Sequence, residues 1–368
     1  MALFADPAEM PPDCDALFAA GTSDALFPAG VSDGLFGSRA WYRNVVRHGL
    51  TAGTTACFAV WREAGRPMAI FPMRRDADGT TRSLTTPYSC LYFPLLAPGI
   101  ERAAILRAGL AFGRFCRPAA SVRLDAIAPE WRGLDPLLEG VRRAGLVVQR
   151  FEHFGNWHEP VAGRGWKAYL DSRPGALRET VRRKLGKAER DPDTRVEVLD
   201  GTADLEDGIA AFESVYRRSW KEPEPFPEFN AGLMRQTAPI GLLRLGILRI
   251  GGAPVAVQLW IVENGRATVL KLAHDEAFKP ASPGTVLTAA MLRRLLDDER
   301  VTEIDFGRGD DPYKRQWASQ RRQRIGLLLV NPLRARGLAT LGLQAAGRGR
   351  RAALTLAGRL RRGGGGAG

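Results

Sequence analysis

The chain has 368 residues, 45% of them apolar and 25% charged, with 53 Lys and Arg against 40 Asp and Glu. That composition is ordinary for a globular protein, and no run of about 18 apolar residues offers a membrane-spanning helix. Eight Arg and no acid fall between Leu333 and Gly368, so most of the net charge of +13 belongs to a tail and makes no case for DNA binding.

The stretch from Met1 to Pro12 carries Asp6 and Glu9 and no basic segment, unlike a secretory signal. Cys14, Cys57, Cys90 and Cys116 form no CxxC pair, which suits thiols kept reduced in the cytoplasm. Three Asp-x-Leu-Phe units at 15–18, 24–27 and 33–36 are too short for a solenoid. They read as loop and turn leading into a helix over Ser38–His48, with Ser38 as N-cap. Thr55–Arg62 and Pro67–Arg74 are β-rich runs joined by a hairpin loop at 63–66, and Ser83–Pro94 continues as irregular strand. Helical spacing follows over Gly99–Cys116, then a strand over Ser121–Ile127, a helix over Leu134–Ala144 and a strand over Leu146–Phe151.

Arg173-Pro174 opens a basic helix running to Arg190, with Pro174 in its first turn. A second helix over Asp204–Trp220 places Ile209, Phe212, Val215 and Tyr216 on one face, and the Pro-rich 222–229 stretch is a loop. Leu242–Ile250 and Pro254–Glu263 are strands joined at Gly251-Gly252. A strand over Ala267–His274, a helix over Thr285–Leu296, a strand over Thr302–Phe306, a helical turn over Tyr313–Trp317 and a strand over Arg324–Asn331 complete the order. The two halves correspond: Pro98-Gly99 and Pro283-Gly284 each open a helix, and each helix leads to a strand carrying Asp125 or Asp305. We therefore expect a duplicated unit of α/β (α+β) class. Its domains are 1–160, which lacks the polar turn described next, and 161–332. The tail over 333–368 is expected to be disordered or drawn to an anionic membrane surface, where each Arg near the headgroups contributes about 1 kcal/mol.

The densest polar stretch is Asp305–Trp317, with three carboxylates, a Tyr, a Lys and two Arg in a Gly- and Pro-punctuated turn after a short strand. Strand alternation points Asp305 away from Ile304 and Phe306, where it can deprotonate an amine or bond the following turn. Tyr313 can protonate a leaving group and Lys314 can stabilise an oxyanion; otherwise one packs and the other is solvated. Asp310 and Asp311 read as turn-formers, without the ligand spacing of a metal site. Ser282-Pro-Gly-Thr285 opens a helix whose free N–H groups either bind a pyrophosphate or are simply capped. His274 after its strand is a base or a structural residue, and Trp317 belongs to the core. No Gly-x-Ser-x-Gly elbow or Cys/His pair suggests a covalent nucleophile.

His274-Asp275, Ser282-Pro-Gly284 and Asp305 through Trp317, with the basic Arg182-Arg-Lys184 helix, resemble the CelD/BcsL group of GNAT-type acetyltransferases. The same turn is similar to Fem-type aminoacyl transferases, which share a tandem GNAT architecture of mixed twisted sheets flanked by helices. The resemblance implies an acyl-CoA-dependent N-acyltransferase, with acetyl-CoA or another acyl-CoA held by Leu272, Ala273, Ser282, Gly284 and Thr285. It also implies acceptor contacts from Trp220, His274, Arg308 and Asp310, catalysis by Asp305, Tyr313 and Lys314, no metal, and an amine or glycan-precursor acceptor in polysaccharide formation. His274 departs from the aromatic residue common there. Two rivals remain: an aminoacyl-tRNA-dependent transferase whose basic helix contacts tRNA, and an inactive scaffold that binds no CoA.

Overall fold

The structure, a computed structural model, describes residues 1–20 and 34–343. The first half runs β1 (Ala2–Phe4), α1 (Asp15–Ala20), α2 (Arg39–His48), β2 (Thr55–Glu63), β3 (Arg66–Arg75), β4 (Thr81–Ser83), β5 (Leu95–Leu96), α3 (Arg102–Cys116), β6 (Ser121–Ile127), α4 (Leu134–Arg143) and β7 (Val147–Pro160). The second half runs α5 (Trp166–Asp171), α6 (Gly175–Arg190), β8 (Thr194–Leu199), α7 (Leu205–Arg217), α8 (Phe229–Thr237), β9 (Leu243–Ile250), β10 (Ala253–Glu263), β11 (Arg266–His274), α9 (Pro283–Arg293), β12 (Glu303–Arg308), α10 (Pro312–Trp317) and β13 (Gln320–Val330). The mixed α/β fold expected from the sequence is the fold observed. Ser38 caps α2 by accepting from the Trp41 N–H at 3.1 Å. Pro174 sits at the N-cap of α6, one position before the expected first turn.

The strands form one mixed sheet in the order β1-β2-β3-β4-β6-β13-β7-β12-β11-β10-β9-β8, with β5 on β3. In each half the strand after the helix pairs in parallel with an earlier strand of that half: β6 with β4, which precedes the short β5, and β12 with β11. The last strands are exchanged. β13, from the second half, inserts between β6 and β7, and β7 in turn pairs with β12. The expected 1–160 and 161–332 units are therefore two lobes of one sheet. This explains why β7 runs nine residues beyond the expected Phe151 to Pro160. Its polar, Gly-containing end finds backbone partners on both sides, so a weak strand propensity is overridden by pairing.

Two apolar clusters flank the sheet. One joins α2, α3, α4, α7 and α8 and spans both halves. The other packs α5, α6, α9 and α10 against β10, β11 and β12 of the second half, with Trp317 fully buried in it. Helix α8, read from sequence as loop and unassigned chain, docks on the first half. Its Phe229 ring meets Trp41 at 5.5 Å and stacks on Tyr88 at 4.1 Å, and its carbonyl accepts from Asn44 at 3.0 Å. The expectation of a disordered tail changes in part: residues 335–343 are helical, while the remaining tail and the central Asp-x-Leu-Phe unit lie outside the described residues. No helix among the described residues is long and apolar enough to cross a membrane.

Candidate active site

Strands β11 and β12 pair only over 266–268 and 303–305 and then part. A strand pair that diverges leaves backbone and side chains facing an opening. Here the opening is a cleft of about 860 Å³ walled by β11, the start of α9 and the turn after β12. The ladder between β10 and β11 slips at this level: Leu259 pairs with Lys271 and Trp260 with Val269, so Leu270 is a bulge residue. Bulges redirect the chain next to active sites. The first half closes the cleft with Tyr88 and Cys90, from the loop before β5.

At one end stands the N-terminus of α9. Ser282, with φ of +56°, is its N-cap, and no side chain caps the helix. The first free N–H groups therefore face the cleft's end uncompensated, beside Lys279. At Gly284 a Cβ would lie only 3.3 Å from His274 Nδ1, so a larger residue there would crowd the helix opening. Trp220, half exposed, packs against His274 with ring centroids 4.4 Å apart. Tyr313 reaches in from α10. Its hydroxyl shares a 2.7 Å hydrogen bond with Thr288 Oγ1, which donates to the Gly284 carbonyl at 2.9 Å. Burial pushes its pKa up to about 12, so the phenol stays protonated at neutral pH.

Of the residues singled out from sequence, Leu272, Ser282, Gly284, Thr285, Trp220, His274, Arg308, Tyr313 and Lys314 line this cleft together. Three do not. Ala273 points into the core, with 2% exposure. Asp310 is exposed outside the cleft, accepting from Trp157 Nε1 at 2.5 Å and from Arg321 Nε at 2.9 Å. Asp305 lies on the opposite face of β12. Its Oδ1 accepts from Asn156 Nδ2 at 2.6 Å and from the Gly307 N–H at 2.7 Å, and its Oδ2 pairs with Arg322. Burial alone would raise its pKa, but the Arg322 and Arg266 guanidiniums outweigh that and hold it well below the usual carboxylate range. A carboxylate so paired is a poor proton acceptor at neutral pH, so the turn it holds, not the amine, accounts for Asp305. Lys314 also secures that turn, donating to the Arg308 carbonyl, with its Nζ 3.6 Å from Asp311.

Sequence reasoning missed four groups at the cleft. Lys221, Lys271 and Lys279 line it and Glu224 stands behind Lys271, while Asp311, read as a turn-former, lines it as well. Glu224 lies on the Pro-rich loop before α8 and accepts from the Tyr88 hydroxyl at 2.6 Å, tying the two halves together. Burial would raise its pKa, but Lys271 and the hydroxyls of Tyr216 and Tyr88 more than offset this and lower it. The acidic-aromatic composition of that loop was the available signal.

Residues 175–315 match the family profile described as the acetyltransferase (GNAT) domain. A comparison with curated proteins finds no match. Among solved structures, FemX superposes with a TM-score of 0.56 at 11% identity, over 90% of this chain and 98% of that one. The C-terminal domain of a candidate lysylphosphatidylglycerol synthetase from Agrobacterium fabrum gives 0.52 at 14%, over 89% and 95%. A conserved protein of unknown function from Bacteroides thetaiotaomicron gives 0.55 at 13%, over 88% and 98%. At such identities the likeness concerns the fold. The chain is thus a transferase with a GNAT domain at residues 175–315, set in an architecture it shares with FemX.

Proposed function

We propose that the cleft holds an acyl-CoA and passes its acyl group to an amine. The observation that carries this reading is the splayed β11–β12 opening, with the uncapped α9 N-terminus at one end and the protonated Tyr313 hydroxyl beside it. The chain's own groups fit such a donor. The N–H groups at Gly284 and Thr285, with Lys279, take its pyrophosphate, and Leu272 flanks its pantetheine arm. The bound donor supplies an activated thioester carbonyl. Backbone amides at the Leu270 bulge and the Lys314 ammonium stabilise negative charge on that carbonyl oxygen as the amine attacks. Tyr313 gives its proton to the sulfur as the C–S bond breaks, and the proton released by the amine returns to the phenolate through solvent at the cleft mouth.

In this reading the second lobe performs the chemistry and the first lobe walls the cleft. The acceptor is an amine of a small molecule or glycan precursor, in keeping with the CelD/BcsL likeness of the 305–317 turn. The protein works in the cytoplasm, and its Arg-rich tail can meet the inner membrane surface. A second reading, an aminoacyl-tRNA donor, is favoured by the exposed Arg182, Arg183, Lys187 and Arg190 on α6.

Titration calorimetry with acetyl-CoA should give micromolar binding, and thiol release with an amino-sugar panel should follow. Tyr313→Phe should lower kcat by about 100-fold with little change in acetyl-CoA affinity. Absence of acetyl-CoA binding would sink the reading in favour of a tRNA-dependent donor or a scaffold. Full turnover by Tyr313→Phe would remove the phenol from the mechanism.

A further inference from the structure

The charges along the cleft do not balance. Lys221, Lys271, Lys279, Arg308 and Lys314 all line it. Three of these cations are answered within the protein: Lys271 by Glu224, Lys314 by Asp311, and Lys279 by Glu276. The other two are not. The Lys221 Nζ lies 5.5 Å above the Trp220 ring, and among the described residues no carboxylate or carbonyl bonds it. Arg308 stacks over Phe154 at 4.6 Å, with Nη2 3.5 Å from His153 Nε2 and no ion pair to a carboxylate among the described residues.

Arg308 stands on the wall that the first half contributes, over Phe154 of β7, and its carbonyl accepts from Lys314. The charges that act most on Lys221 are those of Lys271, Glu224, Asp311 and Lys314. Lys271 in turn sits 4.5 Å over the ring of Tyr88, so this group faces the wall contributed by the first half. Burial and then the Lys271 ammonium lower the Lys221 pKa. Like charges crowded into a partly dry site without enough acid are costly, and a bound anion relieves them. A neutral amine would leave both cations unanswered, and a cationic polyamine would be repelled.

We propose that the acceptor amine carries an anionic group, a carboxylate or a phosphate, which docks between Lys221 and Arg308 beside the wall contributed by the first half. This builds on acyl transfer in the same cleft and restricts its acceptors to anionic amines. Asp311, on the same rim, is placed to orient the ammonium end of such a zwitterion.

The test reads Lys221 directly and needs no turnover. Its lowered pKa makes it an early target of an amine-reactive acylating probe, located by peptide mass spectrometry. Matched pairs of protectants separate the two anions: glucosamine 6-phosphate against glucosamine for phosphate, and glycine against glycinamide for carboxylate. The anionic member of at least one pair should halve Lys221 labelling, taken relative to that of the exposed Lys167 so that consumption of the probe by the added amine cancels, at a concentration ten-fold or more below its uncharged-group homologue. Arg308→Met should raise that concentration about ten-fold while leaving the homologue unchanged. Equal protection within both pairs, or no protection by either anionic member at 10 mM, would overturn the proposal. Calorimetry with acetyl-CoA runs in parallel. Loss of that binding alongside selective protection would discard the acyl-CoA donor and leave the anion site standing.

Discussion

Replacing Asp305 by Asn should unfold the protein more readily without removing its chemistry. The carboxylate supplies acceptors to Asn156 Nδ2, the Gly307 N–H and Arg322. An Asn side chain offers one acceptor oxygen, and its NH₂ must face a donor on either side. Arg322, whose side chain is 10% exposed, would keep Glu303 but lose its second carboxylate, with the Arg266 guanidinium nearby. Removing one member of a buried charge network costs about 3–5 kcal/mol. With a urea slope of about 3 kcal/mol per molar, the midpoint should fall by roughly 1–1.7 M. Turnover measured well below that midpoint should stay within about five-fold of the parent, because Asp305 does not line the cleft. An unchanged urea midpoint with a 100-fold loss of kcat would refute the reasoning and return Asp305 to the mechanism.

Gly307 has φ of +63°, and a Cβ there would lie 2.7 Å from the Val269 carbonyl, so Gly307→Ala must push β12 from β11. It should cost about 2–4 kcal/mol in urea unfolding and weaken acetyl-CoA binding, since the same strands wall the cleft. Burial, then the Arg322 charge, push the His158 pKa down to about 4, so the folded protein keeps this imidazole neutral while the unfolded chain protonates near 6.5. Its contribution is therefore fully present above pH 6.5 and is lost as pH falls towards 4, by about 3 kcal/mol at most. The His158→Asn variant should show a shallower stability slope over that window than the parent, and identical slopes would remove His158 as a cause.

Periodicity in the chain was enough for most elements, because their apolar faces recur at helical or strand spacing and their ends carry Gly, Pro or Ser. The run over Ser121–Ile127 is one strand with the bounds expected, and Ser282 to Thr285 does open a helix at the cleft. Local sequence also carried the clustering of Tyr313 and Lys314 near that helix, since the turn after β12 is continuous in the chain. It could not carry the strand exchange. Pairing β13 between β6 and β7 depends on partners some 200 residues apart, and it extended β7 through a segment with weak strand propensity of its own. Nor could it place Asp305. Alternation gave the correct face of β12, but only the arrival of Arg322 from β13 and Asn156 from β7 decided that this face is a buried charge network and not the cleft. Lys221, Lys271 and Glu224 were invisible for the same reason: each is unremarkable in its own segment, and their common cleft exists only once β11 and β12 part and the loop before α8 folds back over them. Spacing along a chain fixes local geometry, whereas the sign and pairing of charges in a site depend on which distant segments the sheet brings together.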